Sequence, residues 1–157
     1  MPQKGARADE DGLLAELHAL YRDADALFQG ATCEQSSECC RFGITGREPQ
    51  VTSLEVALVQ RAIRARGGPL SKQKRALPMS KPERDERVCP LLDQHSRCSV
   101  YASRPLGCRT FYCSRATLPR EPSRSELAAI VRRLQELAAQ HQRDGDRPRA
   151  LSRALER

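Results

Sequence analysis

The sequence contains no tryptophan, and only three phenylalanines and three tyrosines stand among its 157 residues. No run approaches the roughly 18 consecutive apolar residues that a membrane span needs, and residues 1–12 lack the apolar segment of a secretory signal. We therefore expect a cytoplasmic protein without a membrane partner. A small domain with so few large apolar side chains usually needs a staple, such as a structural metal.

Familiar catalytic and metal motifs are also missing. The chain has no phosphate-binding loop, no dinucleotide-binding glycine pattern, no Gly-x-Ser-x-Gly and no His-Glu-x-x-His. It has no Cys-x2-Cys knuckle, which is the usual sign of a zinc ribbon or finger. These absences leave the catalytic residues unassigned and count against an ordinary zinc ribbon.

Cysteine, in contrast, is concentrated in two groups separated by 48 residues that contain none. An odd number of cysteines fits complete disulfide pairing poorly, and a reducing compartment keeps thiols free. Clustered thiolates repel one another unless a cation neutralises them, so the pattern predicts a metal site. The two groups are Cys33, Cys39 and Cys40, then Cys89, Cys98, Cys108 and Cys113.

The spacing leaves the number of metal ions open. Four cysteines complete one site, and the other three would form an open site or join a larger cluster. The side chains of adjacent Cys39 and Cys40 tend to diverge, so one of them would face a second metal or stay free. Arginine flanks the cysteines, either to offset thiolate charge or because the chain is rich in arginine. These arginines are Arg41, Arg97, Arg109 and Arg115.

The three histidines are weaker ligand candidates. His18 and His141 fall within predicted helices, where a partly buried or surface role is the simpler interpretation. His95 lies between Cys89 and Cys98 in a predicted turn, and imidazole does complete thiolate zinc sites. His95 is therefore the one histidine that we keep as an alternative ligand.

The apolar periodicity predicts a mainly α fold, a small helical domain with irregular cysteine-rich loops stapled by metal. The first helix is predicted over residues 11–28. Capping boxes predict two more helices, one after Thr52 with Glu55 and one after Ser123 with Glu126. The expected buried stripe of the last helix is Leu127, Ile130, Val131, Leu134, Leu137 and Ala138.

The same patterns predict the domain limits. We predict a disordered tail over residues 1–10 and the metal-binding domain over residues 11–142. Residues 143–157 are predicted to form a basic C-terminal tail that frays. Within the domain, residues 68–88 contain three prolines and many charges, which predicts an exposed loop.

Between Arg61 and Arg87 nine basic residues stand against three acidic ones. This asymmetry suggests an alternative function, a non-catalytic zinc-stapled module that binds an anionic partner through residues 61–87. Nucleic acid is not the expected partner, because the stretch has no aromatic side chains on which bases would stack. A protein partner is compatible with the sequence, which does not identify it.

The strongest motif is Cys98-x2-Tyr101-x2-Arg104-Pro105-x2-Cys108-Arg109-x3-Cys113. With the earlier group, it resembles the YkgJ-type cysteine-cluster family of zinc- or iron-chelating domains over residues 30–115. The resemblance implies an iron–sulfur cluster or zinc as cofactor, and some relatives are called iron–sulfur oxidoreductases, so an enzymatic role stays open. The ligands that the family implies are Cys33, Cys39, Cys40, Cys89, Cys98, Cys108 and Cys113.

One position departs from the family pattern. The family commonly has Cys-x2-Cys-x2-Cys-Cys in its first group, whereas this chain has Ser36 at the second cysteine. Three outcomes are compatible with this change: a seven-thiolate cluster, weak ligation by the Ser36 oxygen, or an iron with an open position.

Overall fold

The computed structural model describes residues 4–34, 36–70 and 87–156. Within these residues the protein consists of helices and one small two-stranded sheet, which confirms the predicted mainly α fold. The elements in chain order are α1 (Lys4–Leu27), a 3-10 helix (Glu38–Cys40), α2 (Phe42–Thr45), β1 (Gln50–Val51), α3 (Ser53–Ala65), a second 3-10 helix (Tyr101–Ser103), α4 (Leu106–Arg109), α5 (Arg124–His141), β2 (Arg149–Ala150) and α6 (Leu151–Leu155).

Both predicted capping boxes are confirmed. At the start of α3, Thr52 N–H donates to Glu55 Oε2 over 2.8 Å, while the Thr52 side chain accepts from Glu55 N–H. At the start of α5, Ser123 N–H donates to Glu126 Oε2 over 2.8 Å, and Ser123 Oγ accepts from Glu126 N–H. Each box satisfies backbone donors that a helix start leaves without intrahelical partners, which explains why both helices begin where they do.

The first hydrophobic core lies between α1, α3 and α5. The apolar face of α1 is buried, with Leu17 and Leu20 completely inaccessible, and it packs against Leu54 of α3. In α5 the prediction was wrong for Val131, which is 43 % exposed. Its neighbour Ile130 faces the core, and the next position along a helix is rotated by about 100° from it.

The second hydrophobic core lies on the other side of α3, behind the cysteine loops. Val56 and Val59 of α3 face it, and Leu151 of α6 closes it. Cys89 is part of this core, and Cys40 and Cys98 pack against it. Apolar contacts therefore hold the cysteine loops in place without the help of a metal.

The C-terminal segment packs against the domain. Strand β2 pairs antiparallel with β1, with Gln50 opposite Ala150 and Val51 opposite Arg149. Leu151 is 1 % exposed, and the N–H of Ser152 donates to Glu48 Oε1 over 2.7 Å. Apolar contact and strand pairing, both formed with distant parts of the chain, order an arginine-rich segment whose composition suggested a tail.

The N-terminal helix starts earlier than predicted. Helix α1 begins at Lys4, whereas the first helix was predicted to begin at residue 11. The segment after Pro2 contains no further proline until after α1, and its Ala, Asp, Glu and Arg residues are compatible with a helix. The predicted loop over 68–88 falls mostly on residues 71–86, which lie outside the described residues. None of the described helices has the length and apolar character needed to cross a membrane.

Candidate metal centre

All seven cysteines line one cavity of about 810 Å³. None of the seven forms a disulfide bond. Cys39 and Cys40, which are adjacent in the sequence, have their Sγ atoms 4.0 Å apart, far beyond the disulfide bond length of about 2.05 Å. The structure therefore brings both sequence groups to one place, although 48 residues separate them in the chain.

A backbone contact joins the two groups. The N–H of Cys89 donates to the carbonyl oxygen of Cys40 over 2.7 Å, and Arg41 and Val88 form an isolated antiparallel bridge beside it. Cys39 and Cys40 themselves lie on the 3-10 helix that follows Ser37, a residue in the left-handed conformation with φ 58°. This turn and bridge place the adjacent pair directly beside Cys89.

Cys98 is positioned by a tight turn. Leu92 and Cys98 form an antiparallel bridge, and the N–H of Ser99 donates to Leu91 O over 2.8 Å. The Asp93 carboxylate closes the turn by accepting the N–H groups of His95 at 2.8 Å and Arg97 at 2.9 Å. The predicted turn around His95 is thus confirmed, and His95 is one of the residues that line the cavity.

Cys108 lies on the short helix α4. Pro105 is the N-cap of α4, and the first helical residue is Leu106. Gly107 allows α4 to lie close to Pro49, since a Cβ atom at Gly107 would come within 3.1 Å of the Pro49 side chain.

Cys33 and Cys113 lie on segments joined by a separate bridge. Thr32 and Thr117 exchange two backbone hydrogen bonds of 3.0 Å. Near this bridge, the rings of Phe28 and Tyr112 pack with their centroids 5.0 Å apart. These contacts therefore fix the segment that carries Cys33 to the segment that carries Cys113.

Burial and mutual proximity set the protonation of the inner thiols. Burial raises the pKa of Cys89 to about 11 and that of Cys108 to about 12, and in both cases the neighbouring Cys98 and Cys39 thiols add to the increase. A hydrogen bond between the adjacent thiols lowers the pKa of Cys39 and raises that of Cys40. Without a cation, the buried thiols of this cavity are held in their protonated form.

Arg104, an arginine that the flanking pattern did not include, acts on the pKa of Cys39 and of Cys98. Burial raises the pKa of Cys98, and the Arg104 guanidinium acts on that pKa in the opposite direction. Arg41 and Arg97 line the cavity as expected of flanking residues. Arg115 instead pairs with Glu38 at 3.1 Å. Arg109 turns into the protein interior and donates to Asp25, so it does not line the cavity.

The donor set suits zinc or iron, because clustered thiolates are preferred ligands of both. In the described residues, no three Cys, His, Asp or Glu side chains are already arranged to hold a metal ion. The thiols surround the cavity, and a bound ion would have to draw them together. Ser36 also lines it, with its Oγ accepting the N–H of Glu38 over 3.4 Å.

Sequence reasoning missed a buried polar network beneath the cavity. Glu55 is 1 % exposed and accepts hydrogen bonds from Tyr21 OH and from the backbone N–H of Leu106 in α4. The capping box revealed one role of Glu55, yet nothing local in the sequence indicated a contact 51 positions away. Of the two other histidines, His18 is exposed and His141 contacts Ser53 and Glu10, away from the cavity.

The predicted anion-binding stretch over 61–87 is only partly described. Arg61 forms an ion pair with Asp11 of α1. Most of its other cations, including Lys72, Lys74 and Arg75, lie outside the described residues. This surface therefore stays a prediction.

A small helical domain with seven thiols around one cavity defines a cysteine-cluster protein. Residues 32–139, more than half of the chain, match the family described as "CxxCxxCC: Putative zinc- or iron-chelating domain", and the chain belongs to this family. This match confirms the resemblance drawn from the sequence and supports metal binding. Neither a curated protein nor a solved structure matches the chain.

Proposed function

We propose that the seven cysteines supply the ligands of a single metal centre, which is an iron–sulfur cluster in preference to zinc. The observation that carries the proposal is that one cavity collects thiols from both sequence groups. The proposed ligands are Cys33, Cys39, Cys40, Cys89, Cys98, Cys108 and Cys113.

Protonated thiols and nearby arginines determine the charge of this cavity before and after metal binding. Metal binding requires thiolates, so loading displaces protons from buried thiols such as Cys89 and Cys108. Arg41 and Arg104, which line the cavity, offset part of the negative charge that then develops. A reducing compartment such as the cytoplasm keeps the thiols available for this reaction.

An iron–sulfur cluster is favoured over zinc for two reasons. The chain has no Cys-x2-Cys knuckles of the kind that zinc ribbons use, and its family admits iron as well as zinc. When bound, an iron–sulfur cluster supplies one-electron redox chemistry. We therefore propose a redox-related role, in which the cysteines act as ligands and not as nucleophiles.

Anaerobic purification followed by metal analysis and an absorption spectrum tests the proposal. Iron–sulfur protein absorbs visible light through sulfur-to-iron charge transfer, whereas zinc protein is colourless because the d shell of zinc is filled. We expect a brown protein containing iron and sulfide, with less of both in Cys108→Ser than in the matched control Ser114→Ala. Colourless protein with stoichiometric zinc would reject iron, and protein without bound metal would reject the centre altogether.

A further inference from the structure

Helix α4, which carries Cys108, is only four residues long. Helices of this length have no stability of their own in water, because nucleation is unfavourable. Contacts with the rest of the protein must therefore set the position of the Cys108 thiol. The structure shows such contacts at both ends of α4.

Glu55 holds the first residue of α4. Its Oε1 accepts the backbone N–H of Leu106 over 2.8 Å and the hydroxyl of Tyr21 over 3.2 Å. Its Oε2 makes the capping box of α3, accepting from Thr52 N–H over 2.8 Å and from Thr52 Oγ1 over 3.0 Å. One oxygen of this buried carboxylate thus caps α3, and the other fixes the start of α4.

Arg109 holds the last residue of α4. Its side chain is 6 % exposed and donates through Nη1 to Asp25 over 2.7 Å. Nε donates to the carbonyl oxygen of Arg104 over 3.0 Å, and Nη2 donates to that of Ala102. Arg109 therefore joins α4 to α1 and to the loop that leads from Cys98 to Cys108.

Tyr21 separates the two buried charges. Its hydroxyl contacts Glu55, and its ring lies 4.2 Å from the guanidinium carbon of Arg109. A buried ion pair such as Arg109 with Asp25 is weak evidence for a stabilising role, since apolar replacements of similar volume are often equally stable. The cap of α3 uses only Oε2 of Glu55, so it does not account for the hydrogen bonds that Oε1 accepts.

We infer that Glu55 and Arg109 are positioning residues for the metal centre, which hold the Cys108 thiol where it can ligate. The inference rests on the proposed metal-binding function. Neither residue touches the metal; each acts through α4. Outer-shell partners of this type usually change metal affinity by about 10- to 100-fold when they are mutated.

The test compares one variant that changes the contact between Glu55 and α4 with two variants that change only a helix cap. Glu55→Gln replaces one accepting oxygen by a donating amide, so it cannot satisfy both Thr52 and Leu106. Thr52→Ala removes the hydroxyl from the box and keeps the contact between Glu55 and Leu106. Glu126→Gln makes the same chemical change as Glu55→Gln at the capping box of α5, away from the cysteines.

The dissociation constant for zinc, from competition with a chromophoric chelator, and the visible spectrum of the cobalt-substituted protein are the readouts. Zinc and cobalt serve as probes whatever the native metal is. We expect Glu55→Gln to weaken zinc binding by about 10- to 100-fold and to alter the cobalt spectrum. Thr52→Ala and Glu126→Gln should lower the melting temperature while both metal readouts stay unchanged.

Arg109→Lys gives a second test if Glu55→Gln does not fold. Lysine keeps the positive charge but cannot donate to Asp25, Ala102 and Arg104 together, so we expect weaker zinc binding and an altered cobalt spectrum. Wild-type affinity and spectrum in the folded variants would overturn the positioning role and leave the proposed function intact. Wild-type protein that binds neither zinc nor cobalt would instead contradict the metal centre itself.

Discussion

The backbone N–H of Cys89 donates to the carbonyl oxygen of Cys40 over 2.7 Å, which links the two cysteine groups across the gap between them. Both residues pack with the second core, on the side of α3 opposite to the contact between α1 and α5. The loops that carry Cys40 and Cys89 therefore pack together on the second core, and metal binding should stabilise both groups together.

The first prediction concerns metal removal. Metal ligation supplies much of the stability of small metal-binding domains, and the first core contains no cysteine. Removing the metal with a chelator should therefore increase amide hydrogen exchange around Cys40 and throughout residues 89–115 first. Exchange in α1 and α5 should change less. Unchanged exchange around Cys40 after verified metal loss would contradict the coupling between the groups.

The second prediction concerns Ser36, which stands where the family commonly has cysteine. Ser36 lines the cavity, so Ser36→Cys adds a thiol to the same site. We expect higher iron occupancy after anaerobic purification and slower bleaching in air, since a more fully thiolate-ligated cluster is less accessible to oxidant. Ser125→Cys, an exposed change on α5 that does not line the cavity, is the matched control. Equal occupancy and bleaching in wild type and Ser36→Cys would remove the role proposed for Ser36.

Those parts of the fold that depend on neighbouring residues could be predicted from the sequence. The Thr52 and Ser123 capping boxes involve residues three positions apart, and the apolar stripe of α1 repeats with the helical period. The same holds for the turn before Cys98, where Asp93 bonds to groups two and four positions further on. In each case the interacting groups are close in the sequence.

Contacts between distant residues could not be predicted in this way. Strand β2 forms because residues 149–150 meet β1, about 100 positions earlier in the chain. The sequence predicted the capping role of Glu55, but the contact between Glu55 and Leu106 depends on how α3 and α4 pack. Similarly, Arg109 follows a cysteine in sequence, although its guanidinium points away from the cavity toward Asp25.

The third prediction concerns Arg104. Its guanidinium lowers the pKa of Cys98, opposing the larger increase caused by burial. Arg104→Gln should raise this pKa further, so half-maximal metal uptake should shift to higher pH. Arg132→Gln, an exposed change on α5, is the charge-matched control. Titrating zinc uptake against pH checks the prediction, which fails if both variants follow the wild-type curve.

The fourth prediction concerns the C-terminal segment. Leu151 is 1 % exposed and belongs to the second core, whereas Leu155 is only partly buried against it. Truncating a fully buried leucine leaves a cavity, so Leu151→Ala should lower the free energy of unfolding by about 2–5 kcal/mol. Leu155→Ala should cost less. Chemical denaturation measures both values, and a wild-type result for Leu151→Ala would indicate that residues 149–155 do not pack in solution.

The fifth prediction concerns the pH dependence of the α5 cap. The ion pair with Arg120 lowers the pKa of Glu126 to about 2, and the Ser123 N–H adds to the effect. A carboxylate with a lowered pKa stabilises the fold above its ordinary value of 4.5, and this contribution is lost as the pH falls through the folded value. Melting temperatures of wild type and Glu126→Gln should therefore differ most above pH 4.5 and converge toward pH 2. Glu136→Gln, an exposed change on the same helix, should keep the wild-type profile. A constant difference between wild type and Glu126→Gln across this range would show that the Glu126 charge does not stabilise the helix.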